Sequence, residues 1–168
     1  MRLTASDFYT YHRPSFCPIR VYKRHHNEPE APAGPHEEVM RRLGERHERA
    51  HLAAFPSVTD LSEGPRTPRE QHTREAVAEQ APIVYQGALR RNVTIDGIDC
   101  EVIGDPDFLI AGPGGYWIRD SKISRRITEE DHPEILRQVE LYGWLFEQMA
   151  PGKLLGLQVH AGTGEIAE

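Results

Sequence analysis

Gly104-Asp105-Pro106-Asp107-Phe108-Leu109-Ile110-Ala111-Gly112-Pro113-Gly114-Gly115-Tyr116-Trp117-Ile118-Arg119-Asp120-Ser121-Lys122 is the stretch on which the fold turns. Its middle, Ala111 to Gly115, is a Gly/Pro cluster of the kind that reverses a chain, and β-rich runs flank it. The pattern predicts a strand from Cys100 to Ile110, a turn, and a second strand from Tyr116 to Ile123. Side chains alternate across a strand, so Asp120 and Lys122 share one face and Ser121 takes the other. If the turn closes a hairpin, Asp107 comes to lie beside Asp120. Two carboxylates so placed repel each other unless a cation joins them. Asp107 also sits in an otherwise apolar run (Val102, Ile103, Phe108, Leu109, Ile110), where an unpaired charge is costly. Asp105 has the same strand parity and competes with Asp107, unless Pro106 breaks the alternation. Magnesium or manganese suits an oxygen-rich pair of this kind. A lysine two residues on brings an ammonium to a phosphate or an attacking water. A lone Asp-x-Lys is, however, more often a solvated hairpin, so its neighbours must carry the argument.

Upstream of this stretch, Ile83 to Leu89 is β-rich, and Val93 to Ile95 continues it to an Asp96-Gly97 turn. Two helices are expected earlier, His36 to Phe55, ended by Pro56, and Pro68 to about Gln80. The Asn27 to Pro35 segment, with Pro29, Pro32, Gly34 and Pro35, reads as a linker. Downstream, Asp131 is the expected N-cap of a helix from His132 to about Met149, with Pro133 in its first turn. Ile135, Val139, Leu141, Tyr142, Leu145 and Phe146 form its apolar stripe. Leu154 to His160 follows as a strand, and another is expected to begin at Glu165. The order predicts an α/β (α+β) chain, a central mixed β-sheet flanked by helices. It reads as a single domain over 1–168, with a basic leading segment and linker to residue 35 and the core from 36 onward. A strand starting so near Glu168 points to the N-terminal part of a longer protein.

Composition narrows the classes. The chain has 168 residues, 38% hydrophobic and 27% charged, which fits one globular core rather than disorder. Apolar runs are too short to cross a membrane, no secretory leader is visible, and Cys17 and Cys100 give no disulfide framework. A cytoplasmic protein without a membrane partner is expected. The net charge of −6 argues weakly against a protein coated by nucleic acid, but residues 1–27 carry +4 and the remainder −10. Of the 20 basic residues 17 are arginine, which suits bidentate phosphate contact and equally reflects a codon bias; Lys122 is one of only three lysines.

In order, Gly44-Glu45-Arg46-His47-Glu48, Gly104-x-x-Asp107-Phe108-Leu109, Asp120-Ser121-Lys122 and Gln138-Val139-Glu140-Leu141-Tyr142 resemble the motifs of the RecB-type branch of the PD-(D/E)XK nucleases. The thirteen-residue step from Asp107 to Asp120 is similar too. So are Ser15-Phe16-Cys17-Pro18-Ile19-Arg20-Val21-Tyr22, as a leading Cys-Pro segment, and Ile83-Val84-Tyr85-Gln86-Gly87, as a first core strand. The resemblance implies a restriction-endonuclease-like core and Mg²⁺- or Mn²⁺-dependent hydrolysis of DNA, exonuclease-like, on single strands or duplex ends, in repair, recombination or defence. It implies metal ligation by His47, Asp107, Asp120 and the carbonyl of Ser121, with Lys122 orienting the water and stabilising the transition state. Gln138 and Tyr142, four apart on one helix face, would hold the nucleic-acid backbone and support the site, although Tyr142 also falls on the apolar stripe. A helicase or second nuclease module in a further C-terminal region is the implied partner. Ser121 departs from the pattern, standing where such nucleases place an apolar residue. The iron–sulfur cluster of some relatives is not supported: Cys17 could match the first ligand, but the tail has no cysteine.

His47-Glu48-Arg49-Ala50-His51 is also a literal H-E-x-x-H, which suggests a zinc peptidase. With nine His and 18 Glu in the chain, chance alone yields such a match in about one chain of twenty. Arg46 and Arg49 beside the motif speak against a dication there. A non-catalytic nucleic-acid-binding domain of the same fold is the third reading.

Overall fold

The computed structural model describes residues 1–168 except Phe16, Asn27, Pro29, Glu30, Ala31 and Ala150. Part of the Asn27–Pro35 linker and one residue of the Cys-Pro segment therefore lie outside the described residues. The fold is α+β: among the described residues are two mixed sheets and five helices, with β1 (Arg2–Thr4), α1 (Ala5–His12), α2 (Pro18–His25), α3 (Pro35–Leu52), β2 (Thr59–Asp60), α4 (Arg66–Ala78), β3 (Ile83–Tyr85), β4 (Leu89–Ile95), β5 (Ile98–Gly104), β6 (Phe108–Gly112), β7 (Gly115–Ser121), α5 (Pro133–Met149), β8 (Leu154–His160) and β9 (Ile166–Ala167) in chain order.

The expected single sheet is two. One has the order β1-β5-β4 and the other β2-β3-β6-β7-β8-β9. The break falls where one strand was expected to run from Cys100 to Ile110. Pro106 has no N–H to give a ladder, so β5 stops at Gly104 and β6 begins at Phe108 in the other sheet. The upstream run is divided likewise at Gln86, whose φ of 54° turns the chain between β3 and β4. The Asp96-Gly97 turn holds: both residues have positive φ, 48° and 79°, as a two-residue hairpin requires, and β4 and β5 pair antiparallel in register on either side. The Gly112–Gly115 hairpin pairs β6 with β7 antiparallel, Phe108 opposite Arg119, and β8 then runs parallel to β7.

The basic leading segment carries β1, α1 and α2, which the sequence pattern did not predict. Thr4 caps α1 in a reciprocal capping box with Asp7. α3 ends at Leu52 rather than Phe55, and its Val39, Met40 and Leu43 are exposed. α5 begins at Pro133, so Asp131 is not its cap; the Asp131 carboxylate instead accepts from Thr128 Oγ1 at 2.9 Å. The α5 stripe is placed as expected. Leu141, Tyr142, Leu145 and Phe146 meet Val84, Leu109, Tyr116 and Ile118 in the main core, while Ile135 and Val139 join Val159 in a smaller cluster. Burying side chains such as Phe146 and Leu145 contributes roughly 1.5–3 kcal/mol each. Among the described residues no helix is long and apolar enough to cross a membrane.

Candidate functional site

Period-two alternation puts Tyr116, Ile118 and Asp120 on the β7 face that packs on α5. Extending the β6–β7 register by one pair sets Asp107 opposite Asp120. Asp120 is 2% exposed, and Lys122 Nζ lies 2.5 Å from its Oδ2, which has no other hydrogen-bond partner. Asp107 receives the Ser121 N–H on Oδ2 at 2.7 Å and the Gln86 amide on Oδ1 at 3.1 Å. The same amide donates to Glu48 Oε1 at 2.8 Å, where the Tyr85 hydroxyl also donates at 2.8 Å. Asp107 and Asp120 thus share one lysine, and the Gln86 amide links Asp107 to Glu48 of α3.

The protonation equilibria register this crowding. Burial first, then the charges of Asp120 and Glu48, push the Asp107 carboxyl well above its ordinary value, against Lys122 and the Ser121 N–H. Burial opposes the Lys122 ammonium, but Asp120 and Asp107 outweigh it and raise its pKa. Lys122 is therefore a cation at neutral pH and no proton acceptor.

Asp105 answers the question left by its parity. Arg66 Nη1 approaches its two oxygens at 3.0 and 2.8 Å, and Arg69 Nη2 reaches Oδ1 at 3.2 Å. Both guanidiniums also bind carbonyls: Arg66 those of Leu89 and Gly104, Arg69 those of Leu61 and Gln86. Asp105 belongs to the seam between the sheets, and Asp107 to the acid cluster.

Gln138 and Tyr142 are 8% and 4% exposed, with Gln138 Nε2 donating to the Tyr142 hydroxyl at 3.1 Å. Burial, then Asp120, Asp107 and Asp105, push the Tyr142 phenol well above its ordinary value. Both are buried, Gln138 Oε1 has no hydrogen-bond partner, and among the described hydrogen bonds neither residue reaches Asp107 or Asp120. Gly104 of the Gly-x-x-Asp motif makes room for Tyr142: a Cβ there would stand 2.7 Å from its ring. Ser121 turns its Oγ to a buried position without a partner, while its N–H serves Asp107.

The described contacts of His47 are with His160. Its Nε2 lies 3.2 Å from the His160 carbonyl, which also accepts the Lys122 N–H at 2.9 Å, and its ring stacks on His160 at 4.6 Å. Among the described contacts none joins His47 to Asp107 or Asp120. His51 continues the stack, 3.8 Å from His160 and edge-on to Phe108 at 4.8 Å. Burial first, then His160, Arg119 and His47, push its pKa down to about 4. The Arg119 guanidinium, 3.4 Å from His51 Nε2, occupies ground a zinc ion would need, and Glu48 of the same motif is turned to Tyr85 and Gln86.

From sequence, Tyr85 and Gln86 had only a place on a core strand, His160 had no role, and Glu48 had one only as the base of the H-E-x-x-H alternative. The only signal for it was adjacency to His47. Among the described residues, no three His, Cys, Asp or Glu side chains converge as a metal cage. The donor chemistry fits a different kind of site. Mg²⁺ is commonly held by one or two carboxylates together with water and substrate phosphate, and buried Asp120 with half-buried Asp107 supplies that pair.

No protein-family profile and no curated protein sequence matches the chain. Among solved proteins, the crystal structure of SSO0001 aligns with a TM-score of 0.39 and 17% identity over 77% of this chain and 75% of that one. A likeness this loose carries no argument.

Proposed function

We propose that this chain is a divalent-metal-dependent nuclease that hydrolyses DNA phosphodiester bonds. One observation carries the reading: Asp107 and Asp120 lie side by side on antiparallel strands, Asp107 is linked to Glu48 through Gln86, and among the described contacts the cation set against them is the Lys122 ammonium. Such a cluster is short of positive charge, and a dication is the simplest group to supply it. A bound Mg²⁺ or Mn²⁺ would polarise the scissile phosphate and acidify a water. Asp107 and Asp120 would be its protein ligands. Lys122, held cationic by both, would neutralise charge building on the phosphate oxygens. Gln86 orients Asp107 and Glu48, and Gln138 with Tyr142 packs beneath them. His47, as a ligand implied by family resemblance, would need to leave the His160 carbonyl, so it is not among the residues proposed here. Restriction-endonuclease-like architecture, exonuclease-like action and a helicase or nuclease partner remain parts of the proposal that rest on motif order alone.

The test is degradation of labelled single-stranded and blunt duplex DNA with Mg²⁺ or Mn²⁺. Cleavage should require the metal and vanish in Asp120→Ala and Lys122→Ala proteins whose circular dichroism is unchanged. If pure wild type cuts neither substrate with either metal, the reading falls.

A further inference from the structure

Lys122 has a second neighbour besides Asp120. Its Nζ stands 5.7 Å from the centre of the Tyr9 ring, and the Arg13 guanidinium carbon stands 5.4 Å from the same ring. Two cations thus lie near the ring of one half-buried aromatic side chain. Tyr9 packs on the Ile135, Val139 and Val159 cluster, as does Ile127. The loop that leaves the acid site at Lys122 therefore returns to the Tyr9 neighbourhood at Ile127, with Arg125 and Arg126 exposed between. The acids further along this loop are engaged away from the ring: Glu129 pairs with Arg137 at 2.8 Å, and Asp131 with Thr128. Only Glu130 stays exposed there without such a pairing among the described contacts.

The platform is fixed in place. α1 packs along α5, its start is closed by the Thr4–Asp7 box, and buried Asp7 draws in Arg24 at 3.4 Å and His25 at 3.3 Å from α2. The basic end of α2 is thereby tied to α1, in the part of the chain that carries +4. Arg13 is solvent-exposed and its described contact is with a ring face, which leaves its N–H fork able to meet a phosphate.

We infer that Tyr9, Arg13, Arg125 and Arg126 form a subsite for an unpaired nucleic-acid strand, adjoining Lys122. An aromatic ring beside guanidiniums is how proteins hold splayed bases and their phosphates without reading sequence. A paired duplex keeps its bases stacked inside, out of reach of a half-buried ring. The inference rests on the nuclease reading for its direction, since the subsite would deliver the strand to the acids, yet binding can be measured apart from cutting.

The experiment is fluorescence anisotropy of labelled oligothymidylate with the whole chain in EDTA, beside the matching blunt duplex. Tyr9→Leu should weaken oligothymidylate binding on the order of tenfold, Tyr9→Phe should keep it, and duplex binding should be weak and indifferent to either change. The Arg125→Ala/Arg126→Ala protein should lower the log–log salt slope by roughly one to two. A merely structural Tyr9 would move thermal stability and leave the preference for oligothymidylate over duplex alone. Wild type that binds no oligothymidylate at low salt, or a Tyr9→Leu protein that folds and binds as wild type, overturns the subsite. If Tyr9-dependent binding is found but no metal gives cleavage, the subsite stands and the nuclease reading falls. If cleavage is found with KM unchanged in Tyr9→Leu and Arg13→Ala, the reverse holds.

Discussion

Asp105 and Asp107 are two residues apart, on either side of Pro106, and the protein treats them in opposite ways. Asp105 joins Glu70 and Glu101 in a seam where Arg2, Arg66, Arg69 and Arg90 answer every acid. The Arg2 and Arg90 guanidiniums hold the Glu101 carboxyl below its ordinary value. Asp107 joins Glu48 and Asp120, where Lys122 is the cation present, and its carboxyl is pushed up. Arginine is plentiful in this chain, so the imbalance is not a shortage of basic residues. Where acids serve only to join two sheets, guanidiniums neutralise them and bind the passing carbonyls as well. Where acids are left under-neutralised against burial, the arrangement suits a cation from outside.

Substitutions can break or sharpen that contrast. The largest effect is expected at the cluster's own charges: Asp120→Ala or Lys122→Ala should lower metal-dependent DNA hydrolysis by about 100- to 1000-fold or more, measured as initial rate on labelled strands. Next, the two aspartates should answer neutralisation with opposite sign in metal-free protein. Asp105→Asn strands two arginines and should cost about 1–3 kcal/mol in urea unfolding. Asp107→Asn relieves repulsion and should gain about 1 kcal/mol, seen as roughly 2–4 °C in melting temperature. Equal losses at both would erase the distinction.

A third test uses pH. The Asp107 carboxyl is raised in the folded state above the roughly 3.9 of an unfolded chain. The folded protein therefore binds the extra proton between those two values, and metal-free stability falls as pH rises through that window. Metal binding must expel the proton, so metal affinity measured by calorimetry should climb with pH over the same window, by up to about tenfold per unit. The smallest effect is expected at the rim: Tyr85→Phe removes one hydrogen bond to Glu48 and should cost about 0.5–1.5 kcal/mol with cleavage reduced only a few-fold.

Local pattern was enough for much of this. The turn at Gly112–Gly115, the shared face of Asp120 and Lys122, the Asp96-Gly97 hairpin and the apolar stripe of α5 all follow from periods of 2 and 3.6, which a sequence displays directly. The two helices of the leading segment left no sequence signal because each spans only eight residues, and among the described residues of α2 none is buried. The exposed Val39, Met40 and Leu43 show the limit of periodicity, which announces an apolar face without saying what covers it.

What the sequence by itself determined is the pairing of one aspartate with one lysine on a strand, and the hairpin that brings a second acid alongside. Only the tertiary structure decided which acid that is, because Pro106 passes the chain from one sheet to another and the arginines that claim Asp105 come from α4, some 36 to 39 positions earlier. It also decided that Glu48 reaches the acids while His47 turns to His160. Neighbours on a helix point about 100° apart, and which of them meets the site depends on how α3 lies across the sheet, a long-range packing outcome that no local period encodes.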